Sequence, residues 1–348
     1  MSAEKKVLVT GASGFVAAHI IQVFLEAGYA VKGTVRSEST AEKVRSTYPK
    51  YADKLSFAIV PDMAVPDAFD EAVKGVEGII HTATPFQIQV EDNERDLLRP
   101  AIDGTVNILR SAKKFAPQVR RVVIISSFAA IGDFSKGNRP GYTYTEADWN
   151  PMSYEEAAKK ETPGALAYCA AKALAERSAW DFIKNEKPNF DLVTLCPPMV
   201  YGPNINATTD LSKLNTSSAD IYQLMAPGRK PTDEMPKTSF WSWVDVRDVA
   251  LAHLRAYEIP EAGNQRFFLC NGNFSYQMMC DILRENIPEL RDRVPIGKPG
   301  SGFGGVELYK TDASKAEKVL GIKFRPLEVP VVDAARSFLE LEKKGGKA

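Results

Sequence analysis

The run Lys6-Val7-Leu8-Val9-Thr10-Gly11-Ala12-Ser13-Gly14 passes from a short apolar segment into a glycine turn. Its apolar half contains β-branched residues and is typical of a strand that is buried on both faces. Beyond the turn, apolar residues recur at helical spacing up to Gly28, which predicts a helix and its end. The sequence therefore predicts a strand, a tight turn and a helix in immediate succession.

The turn carries a G-x-x-G-x-x-A pattern with a physical demand at each position. Gly11 lets the chain turn, Gly14 leaves space for a ligand to meet bare backbone, and Ala17 lets the helix pack close to the sheet. The first amide groups of the helix would face a bound pyrophosphate, which the helix dipole favours. An ordinary tight turn is the alternative, but the position between a strand and a helix favours a dinucleotide-binding turn.

Composition narrows the class of protein. The 348 residues include 44 Lys and Arg and 44 Asp and Glu, so the charge balance gives no sign of a nucleic-acid or membrane surface. No apolar segment is long enough to cross a bilayer, and we expect no signal peptide before the first strand. The cysteines lack C-x-x-C spacing and lie in apolar stretches, which favours reduced, buried thiols and a cytoplasmic location: Cys169, Cys196, Cys270 and Cys280.

Further apolar segments alternate with helical patterns along the first two hundred residues. Strands are predicted at 29–35, 55–59, 76–81, 121–125 and 192–196. This alternation predicts an α/β fold with a doubly wound parallel Rossmann sheet and right-handed crossovers. Ligands bind at the carboxyl ends of strands in such sheets, so we expect the catalytic groups just past the strand ends.

Residues at two strand ends bear on the choice of cofactor. Arg36 follows the second predicted strand, where an acid would pair with the ribose 2′-hydroxyl of NAD; a base with planar donors favours the 2′-phosphate of NADPH. A solvated surface arginine is the alternative. Asp62, after the third strand, could accept from an adenine amino group or serve as a turn residue.

The fourth predicted strand ends at His81 and runs into Thr82 and Ala83. Small residues at a strand end permit close passage of a cofactor. His81 could be a catalytic base, but the three histidines are scattered without metal-ligand spacing, so we expect a packed or hydrogen-bonded histidine and no metal site.

Three side chains form the candidate catalytic group. Ser127 follows the fifth predicted strand, and Tyr168 and Lys172 lie four residues apart on one face of a strongly predicted helix. An ammonium beside a phenol favours the phenolate and could also bind ribose hydroxyls, while the serine could hydrogen-bond a carbonyl that gains charge. A Tyr and a Lys one turn apart are also common on solvated helices, but the ordered strand-end features favour catalysis.

These motifs resemble the extended short-chain dehydrogenase/reductase superfamily, and more narrowly the fungal NADPH-dependent methylglyoxal/isovaleraldehyde reductases, which are similar to dihydroflavonol reductases. The resemblance runs nearly end to end, through Tyr168-x-x-x-Lys172 and segments such as Val244-Asp-Val-Arg-Asp-Val249. It implies a catalytic triad of Ser127, Tyr168 and Lys172. The cofactor-binding positions expected from the resemblance and the strand ends together are Gly11, Ala12, Ser13, Gly14, Phe15, Val16, Arg36, Asp62, Thr82, Ala83, Tyr168, Lys172, Pro197, Val200 and Ser217.

The chain departs from its relatives in one position near the expected 2′-phosphate. Where close relatives place a lysine shortly after the arginine, this sequence has Thr40. Binding of the 2′-phosphate would then depend more heavily on Arg36, and the preference for NADPH over NADH would be weaker.

We expect residues 1–198 to form the NADP-binding domain and residues 199–348 a smaller mixed α/β substrate lobe, with about 240–271 returning to the first domain. In this interpretation 241–246 rejoins the sheet, and 266–271 adds another strand. An apolar pocket between the lobe and the strand ends would be lined by Phe86, Phe128, Met199, Tyr201 and Trp241, although aromatic residues are more often plain core.

The sequence thus predicts an NADPH-dependent reductase of small aldehydes and ketones, as a monomer or homodimer. An NAD-recycling sugar-nucleotide epimerase or dehydratase and a non-catalytic redox sensor are the alternatives. An acid in place of Arg36 would be expected in the first, and loss of the Tyr–Lys pair in the second.

Overall fold

The computed structural model describes residues 5–84, 90–208 and 210–345. Its strands in chain order are β1 (Lys6–Val9), β2 (Ala30–Val35), β3 (Leu55–Ile59), β4 (Gly78–His81), β5 (Arg121–Ile125), β6 (Thr143–Tyr144), β7 (Asp191–Cys196), β8 (Met199–Tyr201), β9 (Trp243–Asp245), β10 (Gln265–Phe268) and β11 (Lys310–Thr311). Seven of them form one parallel sheet in the order β10-β7-β5-β4-β1-β2-β3.

The helices connect these strands and build the carboxyl-terminal part of the chain. They are α1 (Phe15–Glu26), α2 (Glu38–Thr47), α3 (Arg99–Phe115), α4 (Tyr154–Ala157), α5 (Gly164–Glu186), α6 (Thr216–Met225), α7 (Val246–Glu258), α8 (Tyr276–Asn286), α9 (Ser314–Leu320) and α10 (Glu328–Lys343). A π-helical segment, Glu94–Leu98, leads into α3. Within the described ranges, no helix combines the length and the apolarity needed to cross a bilayer.

Helices cover both faces of the central sheet. In β1, Val7 and Val9 belong to the apolar cluster that contains α1 and α7, whereas Leu8 belongs to the cluster with α3 and α5. Alternate residues of a strand point to opposite faces, so the first strand is buried on both sides. The predicted doubly wound parallel α/β sheet is confirmed.

A separate apolar cluster lies in the carboxyl-terminal part. It joins α6, α8 and α10 to the residues of β8 and β9, which pair with each other in a two-stranded parallel sheet. The other two-stranded sheet pairs β6 with β11. The division of the chain into two domains at residue 198 stays a prediction.

The expected return of 241–246 to the central sheet is wrong. Pro197 and Pro198 interrupt the chain after β7, and the next strand, β8, pairs with β9 outside the main sheet. The free edge of β7 is taken by β10 instead, with Gln265 opposite Val193. Of residues 240–271, it is therefore β10 that joins the central sheet. The helix before it, α7, packs against α1.

The glycine turn between β1 and α1 depends on close backbone packing. Gly11 has φ +67°, and a Cβ at this position would lie 3.1 Å from the Cα of Ala83. Both the left-handed backbone and the neighbouring chain therefore select glycine here.

We expect Gly11→Ala to lower the free energy of unfolding by more than the about 1–2 kcal/mol that a left-handed alanine costs, because the new methyl group also meets Ala83. Gly75→Ala is the control, since Gly75 has φ +74° and a Cβ there meets no atom within 4 Å. Urea denaturation of both variants measures the difference. Equal losses would contradict the close approach at Gly11.

Candidate active site

Hydrogen bonds tie the glycine turn to the neighbouring strand ends. The Thr10 hydroxyl oxygen accepts from the amides of Thr82 and Ala83, each at 3.0 Å. The amide of Gly11 donates to the Thr34 hydroxyl at the end of β2, also at 3.0 Å. The carboxyl ends of β1, β2 and β4 are thereby fixed to each other around the turn.

The turn fits the diphosphate of a dinucleotide. Gly14 is the N-cap of α1 and contributes no side chain there, and a Cβ at this position would lie 3.2 Å from the Gly11 carbonyl oxygen. The first N–H groups of a helix lack partners within the helix and attract anions. The other predicted contact residues lie in the same turn or at the start of α1: Ala12, Ser13, Phe15 and Val16.

The predicted selector of the 2′-phosphate lies directly after β2. Arg36 is exposed and precedes Ser37, whose hydroxyl caps α2 by accepting from the Thr40 amide at 3.3 Å. Thr40 uses its own hydroxyl within this cap, 2.9 Å from that of Ser37. Arg36 thus lies beside a helix N-terminus, a setting that suits a phosphate.

Asp62 has a local structural role. Its Oδ1 accepts from the amide of Ala64 at 2.8 Å, which is the turn role considered from the sequence. Its contact with adenine stays a prediction.

The structure places His81 as a packed histidine. Its Nδ1 lies 2.9 Å from the Thr10 hydroxyl, and its ring packs edge-on against Phe69. Burial, followed by the charge of Lys172, lowers the pKa of His81 to about 3, so the ring is neutral. The described residues contain no cluster of His, Cys, Asp and Glu suited to a metal.

Helix α5 brings the Tyr–Lys pair to the sheet. Small residues let this long helix approach closely, and Lys172 is only 8% exposed. Its Nζ donates to the carbonyl of Ile125, the last residue of β5, at 3.5 Å. Tyr168 lies one turn earlier, partly exposed, against an apolar cluster.

Ser127 lies two residues beyond that carbonyl. It is partly exposed, and its Oγ caps the turn Phe128–Ala130 by accepting from Ala129 at 3.1 Å. Because α5 packs against this turn, the serine and Lys172 share the carboxyl end of β5.

Burial moves the pKa values of the pair in opposite directions. It lowers the pKa of Lys172 to about 8, although the Glu176 carboxylate acts against the shift. It raises the pKa of Tyr168 above its usual range. The expected lowering of the Tyr168 pKa by Lys172 is therefore not seen; the phenol keeps its proton near neutrality, as a proton donor requires.

The remaining predicted cofactor contacts lie beyond β7 and on α6. The carbonyl of Pro197 accepts from Phe128 at 2.8 Å, so it lies beside the serine turn. Val200 is buried in β8 and joins the apolar cluster that contains α1. Ser217 is buried near the start of α6 and accepts from Asn215 at 2.8 Å.

The four predicted pocket residues that the structure describes divide into two groups. Phe128 stacks on Phe268 with ring centroids 5.1 Å apart, and Tyr201 is buried with its hydroxyl donating to Asp220 at 3.2 Å. These placements favour packing over lining a pocket. Met199 and Trp241 keep partial exposure, and Phe86 lies outside the described residues.

Sequence reasoning missed a buried ion pair beside this site. Arg266 donates to Glu176 at 2.7 Å, and the two side chains are 8% and 1% exposed. Glu176 follows Lys172 by four residues, so its place on the same helix face was the available signal.

A parallel sheet with a glycine turn at its first strand end and a Tyr–Lys helix over the same edge is typical of the dinucleotide-binding Rossmann class. Residues 7–270 match the NAD dependent epimerase/dehydratase family. The chain belongs to that family, and the resemblance inferred from its motifs is confirmed.

Fungal reductases are among its relatives. The ketoreductase azaE of Aspergillus niger is 42% identical over 344 residues, covering 97% of this chain and 99% of the relative. The NADPH-dependent methylglyoxal reductase GRE2 of Saccharomyces cerevisiae is 38% identical over 344 residues, with 97% and 98% covered. The crystal structure of yeast methylglyoxal/isovaleraldehyde reductase Gre2 complexed with NADPH superimposes with a TM-score of 0.89 at 37% identity, covering 97% of this chain and 99% of that one.

We expect Arg36→Ala to raise the KM for NADPH about 10- to 100-fold and to change the KM for NADH little, because a hydrogen bond to a charged group contributes about 1.5–3 kcal/mol. Lys43→Ala removes a positive charge from an exposed position of α2 and is the control. Steady-state kinetics with both cofactors measure the ratio. Equal effects on NADPH and NADH would contradict contact between Arg36 and the 2′-phosphate.

The pKa of Lys172 predicts how activity depends on pH. Its ammonium form is present below pH about 8 and is lost as pH rises through that value, while Tyr168 stays protonated. We expect kcat/KM to fall across this range, and the fall to be missing in Lys172→Arg, which keeps its charge. Profiles normalised at neutral pH provide the measurement, and the same alkaline fall in both proteins would assign it to another group.

Proposed function

We propose that this protein reduces small aldehydes and ketones to alcohols with NADPH. The observation that carries the proposal is the placement of Lys172 at the carbonyl of Ile125, with Tyr168 one helical turn away and Ser127 just past the same strand. The similarity to NADPH-dependent fungal reductases supports the choice of reaction and cofactor.

Each residue has a distinct role in this proposal. When bound, NADPH supplies the hydride that the carbonyl carbon receives. Ser127 donates a hydrogen bond to the carbonyl oxygen, where negative charge develops. Tyr168 donates the proton to that oxygen, and its raised pKa keeps the phenol protonated at neutral pH before the reaction. Lys172 holds the ribose hydroxyls and provides a positive charge beside the phenol.

Backbone groups would bind the diphosphate of the cofactor, and a charged side chain would bind its 2′-phosphate. Gly11 and Gly14 leave room for the diphosphate at the start of α1, and Arg36 would bind the 2′-phosphate. Thr82 and Ala83 pass close to the glycine turn, where their small side chains leave space.

The substrate class follows from the side chains beside the site. Met199 and Trp241 would provide an adaptable apolar wall, so the pocket would favour carbonyl compounds with a hydrophobic side over charged sugars. Binding of that side would orient the carbonyl and select the face of attack.

We propose a cytoplasmic location for the protein. All four cysteines are buried and free, and buried reduced thiols suit the cytoplasm.

The two alternatives are disfavoured by particular residues. An epimerase that retains NAD would be expected to carry an acid where this chain has Arg36. A redox sensor without catalysis would not need Tyr168 and Lys172 on the helix over the strand ends.

The purified protein, checked for bound NAD and then mixed with NADPH and a panel of aldehydes, separates the three functions. Bound NAD without net NADPH oxidation would contradict the reductase, as would NADPH binding without turnover.

We expect Tyr168→Phe to lower kcat about 100- to 10,000-fold while leaving NADPH affinity nearly unchanged, because it removes only the proton donor. Tyr154→Phe is the control: Tyr154 packs against the same apolar cluster, and its hydroxyl donates to Glu94 at 3.1 Å. NADPH oxidation gives kcat, and quenching of protein fluorescence gives the affinity. Near-normal turnover in Tyr168→Phe would remove its role as the acid.

A further inference from the structure

A buried ion pair lies between α5 and the edge strand β10. The Glu176 carboxylate accepts from Nε of Arg266 at 2.7 Å and from Nη2 at 3.1 Å. Neither residue was included in the proposed reaction. Burying two charges costs free energy even when they are paired and hydrogen-bonded. We therefore ask what this ion pair does beside the candidate site.

The carboxylate of Glu176 joins three elements beneath the candidate site. It accepts from the Ser126 hydroxyl after β5 and from the Thr194 hydroxyl in β7, both at 2.6 Å. It follows Lys172 by four residues and Tyr168 by eight, which places all three on one face of α5. The same carboxylate therefore connects the Tyr–Lys helix to the residue preceding Ser127.

The guanidinium of Arg266 holds the other side of the serine turn. Its Nη2 donates to the carbonyl of Ala130 at 3.2 Å, and its Nη1 donates to that of Glu146 at 2.7 Å. The guanidinium carbon also lies 3.7 Å from the ring centroid of Trp149. The ion pair thus holds the chain on both sides of Ser127, at Ser126 and at Ala130.

We propose that Glu176 and Arg266 are positioning residues that keep the Ser127 turn in register with Tyr168 and Lys172. The role rests on the proposed reductase function. Neither residue touches the reacting atoms: Glu176 acts through Ser126 and α5, and Arg266 acts through Ala130.

The charge state of Glu176 suits this role. Burial alone would raise the pKa of its carboxyl group, but the charge and hydrogen bonds of Arg266 outweigh burial and bring the pKa below its usual value. The carboxylate is therefore ionised at neutral pH and accepts from the arginine and both hydroxyls. A neutral amide at this position would weaken all of these contacts.

A second ion pair, between β5 and β7, provides a matched control. Arg121 and Asp191 are the first residues of β5 and β7, lie opposite each other, and pair at 2.6 Å. Arg121 also donates to backbone carbonyls, including that of Ala256 at 2.8 Å, much as Arg266 does. This pair lies at the amino ends of the strands, away from the serine turn.

The test compares Glu176→Gln with Asp191→Asn by kcat, KM for NADPH and melting temperature. We expect Glu176→Gln to lower kcat by up to about 100-fold, the cost that a misplacement near 1 Å can have, with KM changed less than about twofold. Asp191→Asn should lower the melting temperature and leave kcat unchanged. The double variant Glu176→Gln/Arg266→Gln removes the unpaired charge, so it should regain melting temperature without regaining kcat.

Three results would overturn the positioning role: an unchanged kcat in Glu176→Gln, an equal loss of kcat in Asp191→Asn, or recovery of kcat in the double variant. If Glu176→Gln does not fold, Ser126→Ala removes only the hydroxyl that links the carboxylate to the turn, and it should lower kcat at least about threefold. An unchanged kcat there overturns the role as well. A wild-type protein that does not oxidise NADPH with any aldehyde contradicts the proposed function itself, so the two failures are distinguishable.

Discussion

The buried contact between the Glu176 carboxylate and the Arg266 guanidinium joins the elements on which the candidate site depends. Through it α5, the end of β5, the strand β7 and the edge strand β10 share one network of hydrogen bonds. Removing one partner of such a pair typically costs about 3–5 kcal/mol, because the other charge is left buried and unpaired. The helix with the Tyr–Lys pair therefore cannot shift along the sheet without breaking this network.

The opposite half of the site is built mainly from backbone. The Thr10 hydroxyl receives the amides of Thr82 and Ala83, and the glycine turn leaves the start of α1 open to a diphosphate. One half thus suits binding of a cofactor, and the other suits the handling of a proton. Both lie at the carboxyl edge of one parallel sheet, where the direction of its strands brings their ends together. This shared edge is why widely separated sequence segments can act on one substrate.

Much of the fold followed from the sequence because periodic patterns report burial. The strands of the Rossmann sheet were predicted to within a few residues, and β5 and β3 matched their predicted bounds. The pairing of β9 with β8 was not predictable, since a strand of only three residues shows the same pattern in either sheet. The β6–β11 pair escaped prediction because two-residue strands show no period. Arg266, ninety residues beyond Glu176, could be paired with it only in the folded chain, and the raised pKa of Tyr168 depends on burial that no local pattern reports.

In the proposed reaction, Ser127, Tyr168 and Lys172 converge on one carbonyl group beside the nicotinamide of NADPH. A crystal structure of the protein with NADP⁺ and an unreactive carbonyl analogue would show whether the three side chains meet at this group. We expect the Tyr168 hydroxyl and the Ser127 Oγ both to lie within about 3 Å of the carbonyl oxygen, with the Lys172 Nζ on the ribose. A carbonyl oxygen bound by other side chains, or a dinucleotide lying away from the glycine turn, would contradict it.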